Sequence, residues 1–91
     1  MRVTVIIPAV LRQYTHNNSE IQIEASTVEE ALLKLNQLFP GLGALILDER
    51  KAVRPFVNIF VNEDSIRNGM NLMTRLKDGD HVHIIPAIAG G

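Results

Sequence analysis

Apolar and polar residues alternate along four stretches of the chain. In residues 2–8, Val3, Val5 and Ile7 alternate with Arg2, Thr4 and Ile6. That is the period of a half-buried strand, and Pro8 ends it or marks a sheet edge. Asn17, Asn18 and Ser19 supply a turn. Beyond them Ile21, Ile23 and Ala25 share one face of a second strand, and Glu20, Gln22 and Glu24 make its other face wet. In residues 56–62, Val57, Ile59 and Val61 alternate with Phe56, Asn58, Phe60 and Asn62. In residues 81–86, Val82 and Ile84 point one way and His81, His83 and Ile85 the other.

Between the second and third strands the period changes. Val28, Ala31, Leu32, Leu35 and Phe39 recur at steps of three and four, which predicts a helix over residues 27–39 with one stripe toward a core. A capping box starts it, either Thr27 with Glu30 or Ser26 with Glu29. Pro40-Gly41 stops it. The apolar residues 41–47 predict a short second helix, and the charged residues 48–54 a loop. Asn68-Gly69 and Asp78-Gly79 mark turns, and residues 72–77 between them leave room for a short strand. The order strand, strand, helix, strand, short strand, strand predicts an α+β class, with one sheet covered by one main helix.

A chain of 91 residues allows a single domain, taken here as 1–91 with a tail at 87–91. Composition narrows the work it can do. The chain is 46% hydrophobic and 21% charged, with a formal net charge of −1. That balance argues against a dedicated nucleic-acid binder, which needs excess cations to displace phosphate counterions. With no cysteine there is no disulfide framework, no thiolate nucleophile and no sulfur-based zinc site. Uncharged runs stay far below the roughly 20 apolar residues that a spanning helix needs. The N-terminus shows no leader pattern, so no membrane role is expected and the cytoplasm is the default location. A domain this small has little room for an enclosed active site, which favours work on the surface or at an end.

The end stands out. Pro86-Ala87-Ile88-Ala89-Gly90-Gly91 carries no charge and no large polar side chain. Gly90 and Gly91 lack a Cβ, so another protein's active site can approach their main chain closely. The terminal carboxylate is then the unusual group on offer. It is a poor electrophile and needs activation, for instance as an acyl adenylate. The plainer reading is a frayed end.

Other candidates are weaker. His81 and His83 sit two apart on one strand face, a spacing that can ligate a metal, but no third ligand has an evident place and solvent-facing histidines are the simpler account. Carboxylate pairs at Glu29-Glu30, Asp48-Glu49, Glu63-Asp64 and Asp78-Gly79-Asp80 fall at a helix start or in turns. None is expected in the cleft that acid–base work requires. Arg50, Lys51 and Arg54 read as a solvated loop, with docking to an acidic partner as the alternative. Gly41-Leu42-Gly43 lacks the residues of a phosphate-binding loop, so any ATP is bound by another protein. If Val3, Val57 and Val82 mark the helix-covered face, then Ile6, Phe60 and Ile85 face the other way. They form either a partner-binding patch or the floor beneath a folded loop.

Taken together, these residues resemble the ThiS/MoaD family of ubiquitin-like sulfur carriers. The likeness spans the whole chain. Its marks are Asp78-Gly79-Asp80, the closing strand and Gly90-Gly91. The cysteine-biosynthesis branch is the nearest, through Val3-Thr4-Val5, Ile7-Pro8, Leu11-Arg12, Phe56-Val57-Asn58-Ile59-Phe60-Val61-Asn62 and Ile84 to Gly91. The resemblance implies a β-grasp fold, one mixed sheet on one main helix, and no catalysis by the chain itself. It implies that a ubiquitin-activating-type adenylating enzyme uses MgATP on the Gly91 carboxylate, and that a sulfur donor then leaves a thiocarboxylate. It further implies delivery to a pyridoxal-phosphate-dependent cysteine synthase acting on O-phosphoserine, and release of cysteine by a JAMM-class zinc peptidase. On this resemblance Gly91 is expected to carry the sulfur, Gly90 to permit access, and Pro86, Ala87, Ile88 and Ala89 to thread the partner's channel. The carrier is expected to bind no cofactor and to be a monomer when free. The alternatives are the small subunit of molybdopterin synthase, a thiamine-pathway carrier, a ubiquitin-like protein modifier, and a binding module with an incidental tail.

Overall fold

The structure is a computed structural model that describes residues 1–86. Ala87, Ile88, Ala89, Gly90 and Gly91 lie outside the described residues. Five strands form one sheet: β1 (Arg2–Ile6), β2 (Glu20–Glu24), β3 (Val57–Val61), β4 (Asp64–Ser65) and β5 (His81–Pro86), in the order β2-β1-β5-β3-β4. β1 and β5 run parallel at the centre, and the other neighbours are antiparallel. The helices α1 (Val28–Leu38) and α2 (Pro40–Ile46) follow the first hairpin. This is the β-grasp arrangement that the resemblance implies.

The two-residue period decides which face is covered. Val3, Val5, Val57, Ile59, Val61, Val82 and Ile84 are buried in one cluster with Val28, Ala31, Leu32 and Leu35 of α1. These are the residues that the alternation and the helical stripe place inward. Ile7 joins the same cluster although β1 stops at Ile6. There the Ile7 N–H bonds to the Ser19 carbonyl at 2.8 Å, and a 3₁₀ turn, Ala9–Tyr14, begins beyond Pro8. The turn's Leu11 is buried with the core, a contribution that its non-repeating pattern does not announce.

The helix start has a definite register. Thr27 is the N-cap, its Oγ1 accepting from the Glu30 N–H at 3.2 Å. The Glu30 carboxylate reaches back one residue further than in the usual box, to the Ser26 N–H at 2.6 Å and the Ser26 hydroxyl at 3.2 Å. Those bonds favour the ionised form and hold Glu30 below its ordinary pKa, Ser26's main-chain N–H being the largest cause. Pro40 both ends α1 and opens α2, where a missing N–H leaves no bond unmade. Gly43 lets the two helices close: a Cβ there would stand 2.7 Å from the Asn36 Cβ.

The expected short strand lies elsewhere than residues 72–77. It is Asp64–Ser65, reached through a turn at Asn62, whose φ is 57°. That left-handed turn lets β4 fold straight back on β3. Residues 71–73 instead form a 3₁₀ turn, after which Thr27 and Arg75 make an isolated bridge. Residues 48–54 form the expected loop, which a bridge from Leu47 to Val53 ties down.

Candidate functional site

The sequence-level candidates converge on β5, because this strand leads to the chain's end. β5 is held on both sides over its first half and by β3 alone from Ile84 to Pro86. Its partners are Thr4, Val5 and Ile6 on β1 and residues 57–61 on β3, with Pro86 opposite Val57. Beyond His83 the strand is paired on one side, and β3 sets its direction up to Pro86, where the described region ends.

The turn that launches β5 is tied to β1. The Asp78 carboxylate accepts from the Arg2 N–H at 2.8 Å, and the Gly79 N–H donates to the Arg2 carbonyl at 2.9 Å. Gly79 has a φ of 86°, a conformation that side chains disfavour. The Asp80 carboxylate takes bonds from the Lys77 N–H at 2.8 Å and the Asn62 side-chain amide at 3.0 Å. Asn62 in turn exchanges bonds with the His81 main chain. The Asp78-Gly79-Asp80 pattern is thus a clasp that sets strand β5 in register. Its carboxylates are engaged by main-chain and amide donors rather than gathered for proton transfer.

The remaining acidic pairs are also separated. Glu30 caps α1, while Glu29 is exposed. Asp48 accepts from the Ala52 and Arg50 N–H groups, and these bonds lower its pKa, Ala52 contributing most. Glu63 and Asp64 are exposed at the β3–β4 turn. The basic cluster divides as well. Arg54 is half-buried and donates to the Ala44 carbonyl at 3.1 Å, whereas Arg50 and Lys51 stay exposed. Among the described residues no group of three or more His, Cys, Asp or Glu side chains comes together to hold a metal ion.

On the uncovered face of the sheet, register joins the residues that alternation pointed outward. Ile6 lies beside His83, and His83 beside Phe60, in one row across β1, β5 and β3. Ile85 lies next along β5, opposite Asn58. Ile85 is 48% exposed, while Ile6 and Phe60 are half-buried. Phe56, which alternation turns outward with Asn58 and Phe60, precedes β3 and is 52% exposed. Sequence reasoning missed Arg67. Its guanidinium bonds to the Asn58 side chain and donates to the carbonyls of Arg54, Pro55 and Val57, the last at 2.9 Å. Arg67 therefore fixes the segment entering β3, whose Val57 is paired with Pro86. A lone exposed arginine in a loop offers no sequence signal for such a role. Pro86 itself is half-buried at the end of β5. Gly91, Gly90, Ala89, Ile88 and Ala87 lie outside the described residues.

Among the described residues no helix is long and apolar enough to cross a membrane. The described residues contain a structural clasp, a row of Ile6, His83 and Phe60 on the uncovered face, and a closing strand that ends at Pro86.

Comparison with known proteins identifies relatives of this architecture. The sulfur carrier protein CysO of Mycobacterium tuberculosis is 34% identical over 93 residues, covering 100% of both chains. A chain of the crystal structure of the Amycolatopsis orientalis BexX/CysO complex superposes with a TM-score of 0.90 at 34% identity, covering 98% of this chain and 99% of that one. The solution structure of small archaeal modifier protein 1 from Methanosarcina acetivorans gives a TM-score of 0.85 at 31% identity, over 99% and 96% of the two chains. The ThiS family matches residues 5–91, nearly the whole length. Fold, closing strand and relatives thus agree, and the chain belongs to the ThiS family of ubiquitin-like sulfur carriers.

Proposed function

We propose that this carrier works through a thiocarboxylate at Gly91 and supplies sulfur for cysteine synthesis. An adenylating partner of the ubiquitin-activating kind joins the Gly91 carboxylate to the AMP part of MgATP and releases pyrophosphate. A sulfur donor attacks the acyl carbon, AMP leaves, and one carboxyl oxygen has been replaced by sulfur. The tail then enters a pyridoxal-phosphate-dependent synthase that accepts O-phosphoserine. There the thiocarboxylate sulfur bonds to the β-carbon of the serine unit as phosphate leaves, and the acyl group passes from sulfur to the amino nitrogen. A JAMM-class zinc peptidase then hydrolyses that amide, freeing cysteine and restoring the Gly91 carboxylate. Gly90 gives access to the main chain, and Pro86, Ala87, Ile88 and Ala89 thread the partner's channel. Ile6, Phe60 and Ile85 provide the docking face. The chain acts in the cytoplasm as a free monomer between encounters, binding no cofactor of its own.

One observation carries this reading: end-to-end likeness to a protein named sulfur carrier protein CysO, in a chain whose final strand runs into an uncharged Gly-Gly end. The partner-bound CysO of Amycolatopsis orientalis supports a role exercised through protein contacts. The likeness to a small archaeal modifier favours a second reading, in which Gly91 is joined to lysine side chains of other proteins.

Intact-mass analysis of the chain from its native cells, with fragmentation of the tail, separates these readings. Sulfur in place of one carboxyl oxygen at Gly91 is the expected result. An unmodified end, even after incubation with native extract, MgATP and sulfide, would overturn the carrier chemistry. A tail joined to lysine would select the modifier. Full sulfur transfer by a chain cut back to Gly90 would also defeat the assignment to Gly91.

A further inference from the structure

His81 and His83 have no part in the carrier chemistry, yet β5 sets them side by side. They are two residues apart on the uncovered face, so their side chains leave the strand in the same direction. Their ring centroids are 6.4 Å apart and the ring planes differ by 29°. Among the described residues neither ring enters a side-chain hydrogen bond. His81 is anchored through its main-chain N–H, which donates to the Asn62 side chain at 3.0 Å. Among the described residues the ring nitrogens therefore have no side-chain partner to give up.

We propose that His81 and His83 form a two-ligand site for a divalent transition ion of the zinc and copper class. Two imidazoles sharing one tetrahedral ion at about 2.0 Å from each nitrogen bring their centroids to roughly 5 Å. The observed separation of 6.4 Å is larger, so binding requires the two side chains to turn toward each other, His81 being exposed and His83 half-buried. Imidazole nitrogen suits zinc, copper and nickel, whereas magnesium and calcium seek oxygen. Register places Thr4 beside His81, and Ile6 and Phe60 beside His83. No carboxylate occupies those neighbouring positions, so water, or a donor brought by a partner, completes the coordination. The ion shares the face with Ile6 and Phe60, and it opposes docking of an apolar surface there. That consequence rests on the proposed carrier reading; the ion site does not.

The full chain is titrated with ZnCl2 and, separately, with CuSO4 by calorimetry, while NMR follows the histidine ring signals. MgCl2 serves as the control ion. One ion per chain is expected, copper binding more tightly than zinc and magnesium giving no heat. His81→Ala and His83→Ala each weaken binding at least tenfold, while His16→Ala does not. Circular dichroism and urea midpoints establish that the variants fold. Unchanged affinity in both strand variants, or ring shifts confined to His16, overturns the site. Docking is read separately: saturating zinc slows adenylation of the wild-type chain but not of the H81A/H83A double variant. Zinc binding without that slowing removes the docking consequence and leaves the ion site and the carrier reading intact.

Discussion

Ile84 and Ile85 are neighbours with the same side chain and opposite surroundings. Ile84 is 1% exposed opposite Ile59, and Ile85 is 48% exposed opposite Asn58. Full burial of such a side chain is worth about 1.5–3 kcal/mol, so Ile84 contributes to the fold in a way that Ile85 does not. The outer face is itself uneven. On the edge strand β2 its residues are Glu20, Gln22 and Glu24, all exposed. In the middle of the sheet they include Ile6, Ile85 and Phe60. Charge on the edge strand discourages pairing with other chains. Apolar side chains at the centre suit a surface that a partner covers. One sheet therefore separates the work of folding from the proposed work of contact by a single residue step.

The largest test of that separation is a pair of variants. Ile84→Ala should lose about 2–5 kcal/mol in urea denaturation, as buried isoleucine truncations do. Ile85→Ala should stay within about 0.5 kcal/mol of the parent and should raise KM for the adenylating partner with little change in kcat. Equal losses of stability in the two would erase the distinction between the faces. Gly43→Ala comes next, because the added methyl meets the Asn36 side chain between α1 and α2. A loss of about 1–3 kcal/mol is expected from overpacking, read as a lower thermal midpoint. No loss would mean that the helices can separate freely without disturbing the covered face.

Thr27→Ala should have a smaller effect, about 1 kcal/mol, from the lost N-cap, with chemical denaturation as the measurement. The smallest effect is that of pH. Glu30 and Asp48 both have pKa values lowered by main-chain donors. Each carboxylate binds protons less readily in the folded chain than in the unfolded one. Their contribution is complete above the ordinary carboxylate values of 4.5 and 3.8 and is lost as pH falls through the lowered folded values. Urea midpoints measured from pH 6 downward should therefore fall on acidification, and less steeply in Glu30→Gln. An unchanged slope in that variant would remove Glu30 from the account.

Much of this molecule is legible along the chain. Period two names the inward residues of β1, β3 and β5, and period 3.6 names the buried stripe of α1. The capping residues are visible, though their register is open until the hydrogen bonds of Thr27 and Glu30 are seen. The uncharged end and its two glycines are matters of sequence alone. Pattern misplaces the short strand, because two residues are too few to show a period and the turn at Asn62 depends on a left-handed backbone.

Tertiary structure decides what lies beside what. Alternation turns Ile6, Phe60 and Ile85 away from the helix. It does not say that β1 and β5, from opposite ends of the chain, run parallel at the centre, or that Ile6, His83 and Phe60 share a row. It does not show that Asp78, Gly79 and Asp80 fasten the start of β5, or that Arg67 holds the residues entering β3. Facing is a local property, set by the pleat of each strand. Neighbourhood is not, because hydrogen bonds between strands join residues that sequence spacing leaves unrelated.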